Sequence, residues 1–351
     1  MVLLNDYGHG GDVYRNRVTL DFSANVNPLG TPPEVIAAVE ESAKRLAAYP
    51  DPYCSRLRQK LAAVHGVGAE DIVCGNGAAE LIFQFAAARR PKTALLPVPS
   101  FSEYAAALDA VGCETVDYPL ARESGFAVTE ALLAHITSET DVLMLCTPNN
   151  PTGRSVEPAL LQRIIARCRE TGTWLLLDEC FLDLTDAGAE KSVIPMLRAD
   201  DRCLVLRAFT KLYGMAGVRL GYAVCRDRDF LAALCRTAQP WNVSAPAQAA
   251  GEAALDCRDF VKRSLQLIAQ EKAYLLRELR ALGIEVLPGD ANFLMLSGVP
   301  GLYDALLQRG ILIRSCANYR GLGEGDVRIA VRTHGENEQL IAALREVVAH
   351  A

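Results

Sequence analysis

No Cys-x-x-Cys pair occurs among the eleven cysteines of this 351-residue chain, so neither a zinc knuckle nor a thioredoxin-like dithiol has support, and no metal is expected. The cysteines are scattered singly, many inside apolar runs, and read as small core residues. A surplus of positive charge is missing as well. Lys and Arg number 36 against 42 Asp and Glu, a net charge of −6 with a pI near 5.5. No basic stripe could neutralise a run of phosphates, which argues against nucleic acid as a partner. No apolar run approaches the length of a membrane span, and Met1–Tyr7 has neither a basic nor an apolar leader region, so a cytoplasmic protein with no membrane partner is expected. Internal repeats and low-complexity tracts are also missing. What remains is 50% apolar and 22% charged, an ordinary globular mixture, in a chain longer than one hydrophobic core usually carries. Two lobes are the expectation.

Between about Glu70 and Cys225, short apolar runs alternate with helical patterns, as in a parallel sheet flanked by helices. Thr93–Leu96, Val142–Cys146, Trp174–Leu177, Cys203–Leu206 and Tyr222–Cys225 read as buried strands. Ala78–Ala88, Ser102–Val111 and Glu157–Glu170 carry apolar residues at helical spacing. After Pro240-Trp241-Asn242 a long helical stretch, roughly Ala245 to Leu282, leads into Phe293–Ser297, Leu302–Gln308, Val327–Arg332 and a closing helix to Ala351, which suggests a second, α+β lobe. The N-terminal segment holds a turn at Asn25-Val26-Asn27-Pro28-Leu29-Gly30 and a helix from Pro33, and is expected to pack on the rest.

Gly75-Asn76-Gly77-Ala78-Ala79-Glu80 follows an apolar run and opens a helix, a place where free N–H groups bind phosphate, although alone it reads as a glycine turn. The dinucleotide fingerprint fails for want of its third glycine. Three further segments end strands: Cys146-Thr147-Pro148-Asn149-Asn150-Pro151-Thr152-Gly153, Asp178-Glu179 and Arg207-Ala208-Phe209-Thr210-Lys211, with Arg219 shortly beyond. In an open α/β sheet such groups converge on one crevice. Lys211 lies in a poor surface context, and a partly desolvated lysine is a good nucleophile toward carbonyls.

Asn149-Asn150-Pro151-Thr152-Gly153, Asp178-Glu179 and the run from Thr210 to Tyr222, in this order, resemble the fold-type-I pyridoxal-phosphate enzymes of the aspartate-aminotransferase-like superfamily, over essentially the whole chain. The resemblance implies an α/β fold, with an N-terminal arm and helix at 1–48, a large cofactor-binding domain with a mostly parallel sheet at 49–244, and a small α+β domain at 245–351. The implied cofactor is pyridoxal 5'-phosphate. Lys211 would hold it covalently and shuttle protons, while Asp178 would pair with the pyridine N–H. Asn150 would donate to O3' and Phe101 would stack on the ring. Gly77, Ala78, Thr210 and Arg219 would hold the phosphate. Tyr49 would reach the partner subunit's cofactor, which implies a homodimer with shared active sites.

Two branches of that superfamily compete, the histidinol-phosphate aminotransferases and the L-threonine-O-3-phosphate decarboxylases of cobalamin biosynthesis. His9-Gly10-Gly11, the stretch from Asp21 to Gly30, the stretch from Gly75 to Phe83, and Asn318–Leu322 before Arg328–Thr333 resemble the decarboxylases more. So does Phe181, which stands where the aminotransferases commonly have a tyrosine that bonds O3'. The expected reaction converts L-threonine O-3-phosphate to (R)-1-aminopropan-2-yl phosphate and CO₂. The alternatives are an aminotransferase, a serine-phosphate decarboxylase, or a cofactor-binding protein without turnover. A substrate with both carboxylate and phosphate calls for at least two guanidiniums. Arg328 and Arg314 match the resemblance, and Arg320, Arg332, His9 and Asn27 are the further substrate-binding candidates.

Overall fold

In a computed structural model, residues 8–186, 188–287 and 289–349 are described. Met1–Tyr7, on which the leaderless reading rests, and the last two residues of the expected closing helix lie outside them. The strands are β1 (Leu20–Asp21), β2 (Ile72–Gly75), β3 (Thr93–Val98), β4 (Glu114–Pro119), β5 (Val142–Cys146), β6 (Trp174–Asp178), β7 (Cys203–Ala208), β8 (Gly221–Val224), β9 (Glu285–Leu287), β10 (Phe293–Ser297), β11 (Ile311–Leu312), β12 (Arg314–Ser315) and β13 (Val327–Ala330). The helices are α1 (Pro33–Ala43), α2 (Ser55–His65), α3 (Ala78–Arg89), α4 (Ser102–Asp109), α5 (Pro158–Thr171), α6 (Phe209–Leu212), α7 (Arg228–Thr237), α8 (Ala245–Ala254), α9 (Arg258–Ala281), α10 (Leu302–Leu307) and α11 (His334–Ala349).

A seven-stranded sheet in the order β2-β8-β7-β6-β5-β3-β4 forms the centre of the large lobe. Its inner strands β3, β5, β6 and β7 are largely apolar because both faces are covered there. Leu143, Leu145, Leu175, Leu177 and Val205 pack toward α2, α5 and α8, while Met144, Leu176, Leu204 and Leu206 alternate toward α3, α4 and α7. One expected strand of the parallel set departs from it: β8 runs antiparallel to both β2 and β7. The edge strand β4 was not foreseen, because it is largely solvent-facing and lacks an apolar run.

A four-stranded antiparallel sheet, β12-β13-β10-β9, packs under α9 and α11 in the second lobe. The helical stretch after residue 245 is two helices, since Leu255 and Cys257 flank a break between α8 and α9. The N-terminal segment bridges both lobes. β1 pairs with β11, Phe22 is buried in the second core, and α1 packs on α8. All eleven cysteines are free; most are buried as expected, but Cys235 is exposed. Among the described residues no helix is long and apolar enough to cross a membrane, and no metal-binding cluster of His, Cys, Asp and Glu occurs.

Candidate active site

Parallel strands deliver their carboxyl ends to one side of the sheet, and there a cavity of ≈ 400 Å³ opens toward the second lobe. β6 ends in Asp178, β5 runs into the loop carrying Asn150, β7 runs into the short helix α6 carrying Thr210 and Lys211, and β2 turns into α3 at Gly77-Ala78. Asp178, Asn150, Phe101, Ala78, Thr210, Lys211 and Arg219 all line the cavity. So do His9, Arg314 and Arg328.

The turn into α3 exists only because two glycines permit it. Gly77 has φ +83°, and a Cβ there would stand 2.7 Å from Nη2 of Arg219. A Cβ on Gly221 would meet the backbone nitrogen of Ala78 at 2.5 Å. The helix start and the Arg219 guanidinium are thereby brought together with Thr210 in a cradle suited to a phosphate. Gly77 shapes that cradle from behind Arg219 and is not itself part of the cavity wall.

Asp178 is buried, with Oδ2 accepting from the Tyr104 hydroxyl at 2.7 Å and Oδ1 from the Cys180 N–H at 2.9 Å. Glu179, the next residue, points to the opposite face of the sheet and ion-pairs with buried Arg207 at 2.8 Å. Asn150 accepts through Oδ1 from Arg328 and from the Tyr319 hydroxyl at 3.3 Å, which leaves its amide N–H groups for a ligand. The amine of Lys211 lies 5.4 Å from the Phe181 ring centre. Burial, with the Arg328 and Arg219 charges adding to it, pushes that amine down to about 8, within reach of a reactive neutral form near physiological pH.

Arg328 and Arg314 are both buried. Arg328 donates to the Ser23 carbonyl at 2.8 Å. Asn25, with its amide oxygen turned to that guanidinium, accepts from Nε at 3.1 Å and Nη1 at 3.2 Å. Arg314 donates to the Ser315 carbonyl at 2.6 Å and to Asn318 Oδ1 at 2.8 Å. Among the described residues neither guanidinium is matched by a carboxylate, and desolvation lowers the basicity of Arg328. His9 pairs with Glu103 at 2.9 Å and tilts against Phe101 with ring centres 6.0 Å apart.

Three expected ligands, Arg320, Arg332 and Asn27, do not line the cavity, and Tyr49, expected to serve the partner subunit, lies outside the cavity of its own chain. Arg320 pairs with Asp117 at 2.6 Å on the exposed side of β4, and Arg332 pairs with Glu336 at 2.7 Å. Both charges are neutralised within the protein and neither lines the cavity. Asn27 is buried; its amide donates to the Leu212 carbonyl at 2.6 Å and to Ser264 Oγ at 2.7 Å, and its N–H to the Lys211 carbonyl at 3.0 Å. It braces the lysine turn rather than facing the cavity. Tyr49 is 80% exposed and stacks on Trp241, ring centres 4.6 Å apart, outside the cavity of its own chain. Tyr104, Tyr319 and Asn25 were missed as site residues. The signal for Tyr104 was its position three residues after Phe101, in the first turn of the helix that Phe101 caps.

The family model described as "Aminotransferase class I and II" matches residues 17–344. The threonine-phosphate decarboxylase of Salmonella typhimurium is 40% identical over 361 residues, covering 99% of this chain and 98% of the relative. A histidinol-phosphate aminotransferase of Symbiobacterium thermophilum is 33% identical, covering 92% of this chain and 88% of the relative. Among solved structures, histidinol-phosphate aminotransferase from Sinorhizobium meliloti in complex with pyridoxal-5'-phosphate superposes with a TM-score of 0.82 at 25% identity, covering 95% of this chain and 92% of that one.

Proposed function

Because the chain belongs to the class I and II aminotransferase family, we propose that it is a decarboxylase of L-threonine O-3-phosphate, yielding (R)-1-aminopropan-2-yl phosphate and CO₂. It is an enzyme, and its cofactor is pyridoxal 5'-phosphate. The residues present fit that group. The cradle that Gly77 and Gly221 keep open suits its phosphate, and the carboxylate of Asp178 suits its ring nitrogen. The amide of Asn150 suits O3', Phe101 suits the ring face, and the Lys211 amine is the point of attachment. When bound, the group supplies an electron sink for whichever Cα bond of the substrate stands across its ring plane.

The observation that carries the substrate class is the pair of buried guanidiniums of Arg314 and Arg328, neither paired with a carboxylate among the described residues, lining one cavity with Lys211. A substrate bearing both a carboxylate and a phosphate satisfies both forks. These two side chains, with His9 over the mouth of the cavity, orient the substrate, and Lys211 returns a proton to Cα once the carboxylate has left. Phe181, packed edge-on against Phe293 with centres 5.1 Å apart, offers no hydroxyl to O3', which supports the decarboxylase reading over the aminotransferase one.

The division of the chain into 1–48, 49–244 and 245–351 is the frame of this reading, and a homodimer is its assembly. Exposed Tyr49 on exposed Trp241 supports a dimer in which each Tyr49 serves the neighbouring site. Eleven free cysteines support a reducing compartment such as the cytoplasm. A second reading, histidinol-phosphate aminotransferase, is favoured by the Symbiobacterium relative. Incubation with L-threonine O-phosphate, with and without 2-oxoglutarate, separates the two. Release of CO₂ and the amine without keto acid is expected; glutamate formed from histidinol phosphate and 2-oxoglutarate, with no CO₂, would install the second reading instead.

A further inference from the structure

We propose that Tyr104 is a positioning residue for the cofactor's ring nitrogen, holding the Asp178 carboxylate, through its hydroxyl, in the one orientation that faces the cavity. The inference rests on the reading of the cavity as the cofactor's site. Tyr104 sits in the first turn of α4, is completely buried, and lines the cavity wall with its hydroxyl 2.7 Å from Asp178 Oδ2. The other carboxylate oxygen is held by the Cys180 N–H at 2.9 Å. Each oxygen therefore has one fixed donor, and rotation of the carboxylate breaks both bonds at once.

The direction of the Tyr104 bond is set by the surroundings. Burial and the Asp178 charge raise the phenol well above its ordinary range, so the hydroxyl keeps its proton and donates. With one donor fixed on each oxygen, the carboxylate keeps lone pairs aimed into the cavity for a pyridine N–H. The Tyr104 ring is itself fixed edge-on against Phe101, with centres 5.7 Å apart at 87°. The cap and first turn of α4 thus supply both the face against the cofactor ring and the donor that aims the counter-ion at its nitrogen.

The test uses Tyr104→Phe, which keeps the ring and deletes only the hydroxyl, alongside Asp178→Asn and the double variant. Affinity is measured by equilibrium dialysis for pyridoxal 5'-phosphate and for its 1-deaza analogue, in which C–H replaces the ring nitrogen, with thermal melting of each cofactor-free protein. Tyr104→Phe is expected to bind the natural cofactor about tenfold more weakly, the scale of a hydrogen bond to a charged group. It should bind the analogue as wild type does, add nothing in the Asp178→Asn background, and keep a cooperative melting transition, lowered by no more than the loss of one buried hydrogen bond. Equal weakening toward both cofactors, additive losses in the double variant, or no weakening at all would reduce Tyr104 to a packing residue and overturn the proposal. A wild-type chain that takes up neither cofactor would overturn the site reading and the inference with it.

Discussion

Arg314 and Arg328 stand directly opposite each other across the antiparallel pair β12 and β13. Like charges in that relationship ordinarily repel and destabilise a sheet. Here both are buried, and their hydrogen bonds within the protein go to neutral carbonyls and amides. A ligand carrying both a carboxylate and a phosphate would relieve the repulsion, which supports the proposed binding role of the pair. Arg314→Gln is expected to raise KM for L-threonine O-phosphate about tenfold or more, as loss of a charge-assisted fork does, with a smaller change in kcat. The stabilisation that this substrate gives the wild-type protein in a melting experiment should shrink in parallel. A variant whose KM and ligand-induced melting shift both match wild type would contradict this role.

The Lys211 amine, depressed from 10.5 to about 8, also makes a stability prediction for the cofactor-free protein. Between those two pH values the unfolded chain binds more protons than the folded one, so the burdensome charging of this group fades as pH rises. Below pH 8 the penalty is fully present, on the order of 3 kcal/mol from the size of the shift. Lys211→Met should therefore gain on wild type in denaturant stability at pH 7 and lose much of that advantage by pH 10. It should also lack the absorbance of the lysine-linked cofactor that wild type shows, and be inactive. An advantage that is constant with pH would refute the assignment of the shift.

His65 gives the acid limb of the stability profile. It is buried with Nε2 2.7 Å from the Tyr222 hydroxyl, and burial, helped by the Arg207 charge, pushes it down to about 4 from 6.5. Because the folded pKa is lowered, the unfolded state takes up the extra proton between pH 6.5 and 4, and stability falls as pH drops through that window. The loss is about 3 kcal/mol. Chemical denaturation of His65→Gln at pH 7 and pH 4.5 should show a flatter dependence than wild type; parallel slopes would remove His65 from the account.

Gly221→Ala probes the phosphate cradle without touching any charged group. The new methyl would meet the Ala78 nitrogen at 2.5 Å and the Gly77 carbonyl carbon at 2.8 Å, and backbone must move. Displacement of the α3 start is expected to weaken cofactor binding about tenfold or more, since N–H groups at a helix start act only at contact distance. Cofactor titration followed by absorbance reads this directly, and unchanged affinity would place the cradle elsewhere.

Shared sites can be tested by mixing inactive proteins. Lys211→Ala and Tyr49→Ala, unfolded and refolded together, form hybrids in which one site combines an intact Lys211 with an intact Tyr49 from the other chain. Random pairing in a two-fold dimer predicts recovery of about a quarter of wild-type activity. No recovery, with hybrids demonstrated by mass, would show that Tyr49 serves its own chain or none.

Local chemistry was legible in the sequence, because the residues concerned act through their immediate neighbours along the chain. Apolar runs bounded by turns marked the central strands, the glycines before α3 marked the turn whose Ala78 lines the cavity, and the Thr210-Lys211 run marked two further cavity residues. What the linear order could not sort was which of several equivalent side chains face the cavity. Arg314, Arg320, Arg328 and Arg332 carry the same charge within a short stretch, yet Asp117 and Glu336 neutralise two of them and strand register aims the other two inward. Asn25 and Asn27 lie two residues apart, one against Arg328 and the other against Leu212 and Ser264. The hydroxyl of Tyr104 reaches Asp178 across 74 residues of chain. Burial and charge pairing are decided by groups distant in sequence, so only the packing of the two lobes and the register of their strands could settle those roles.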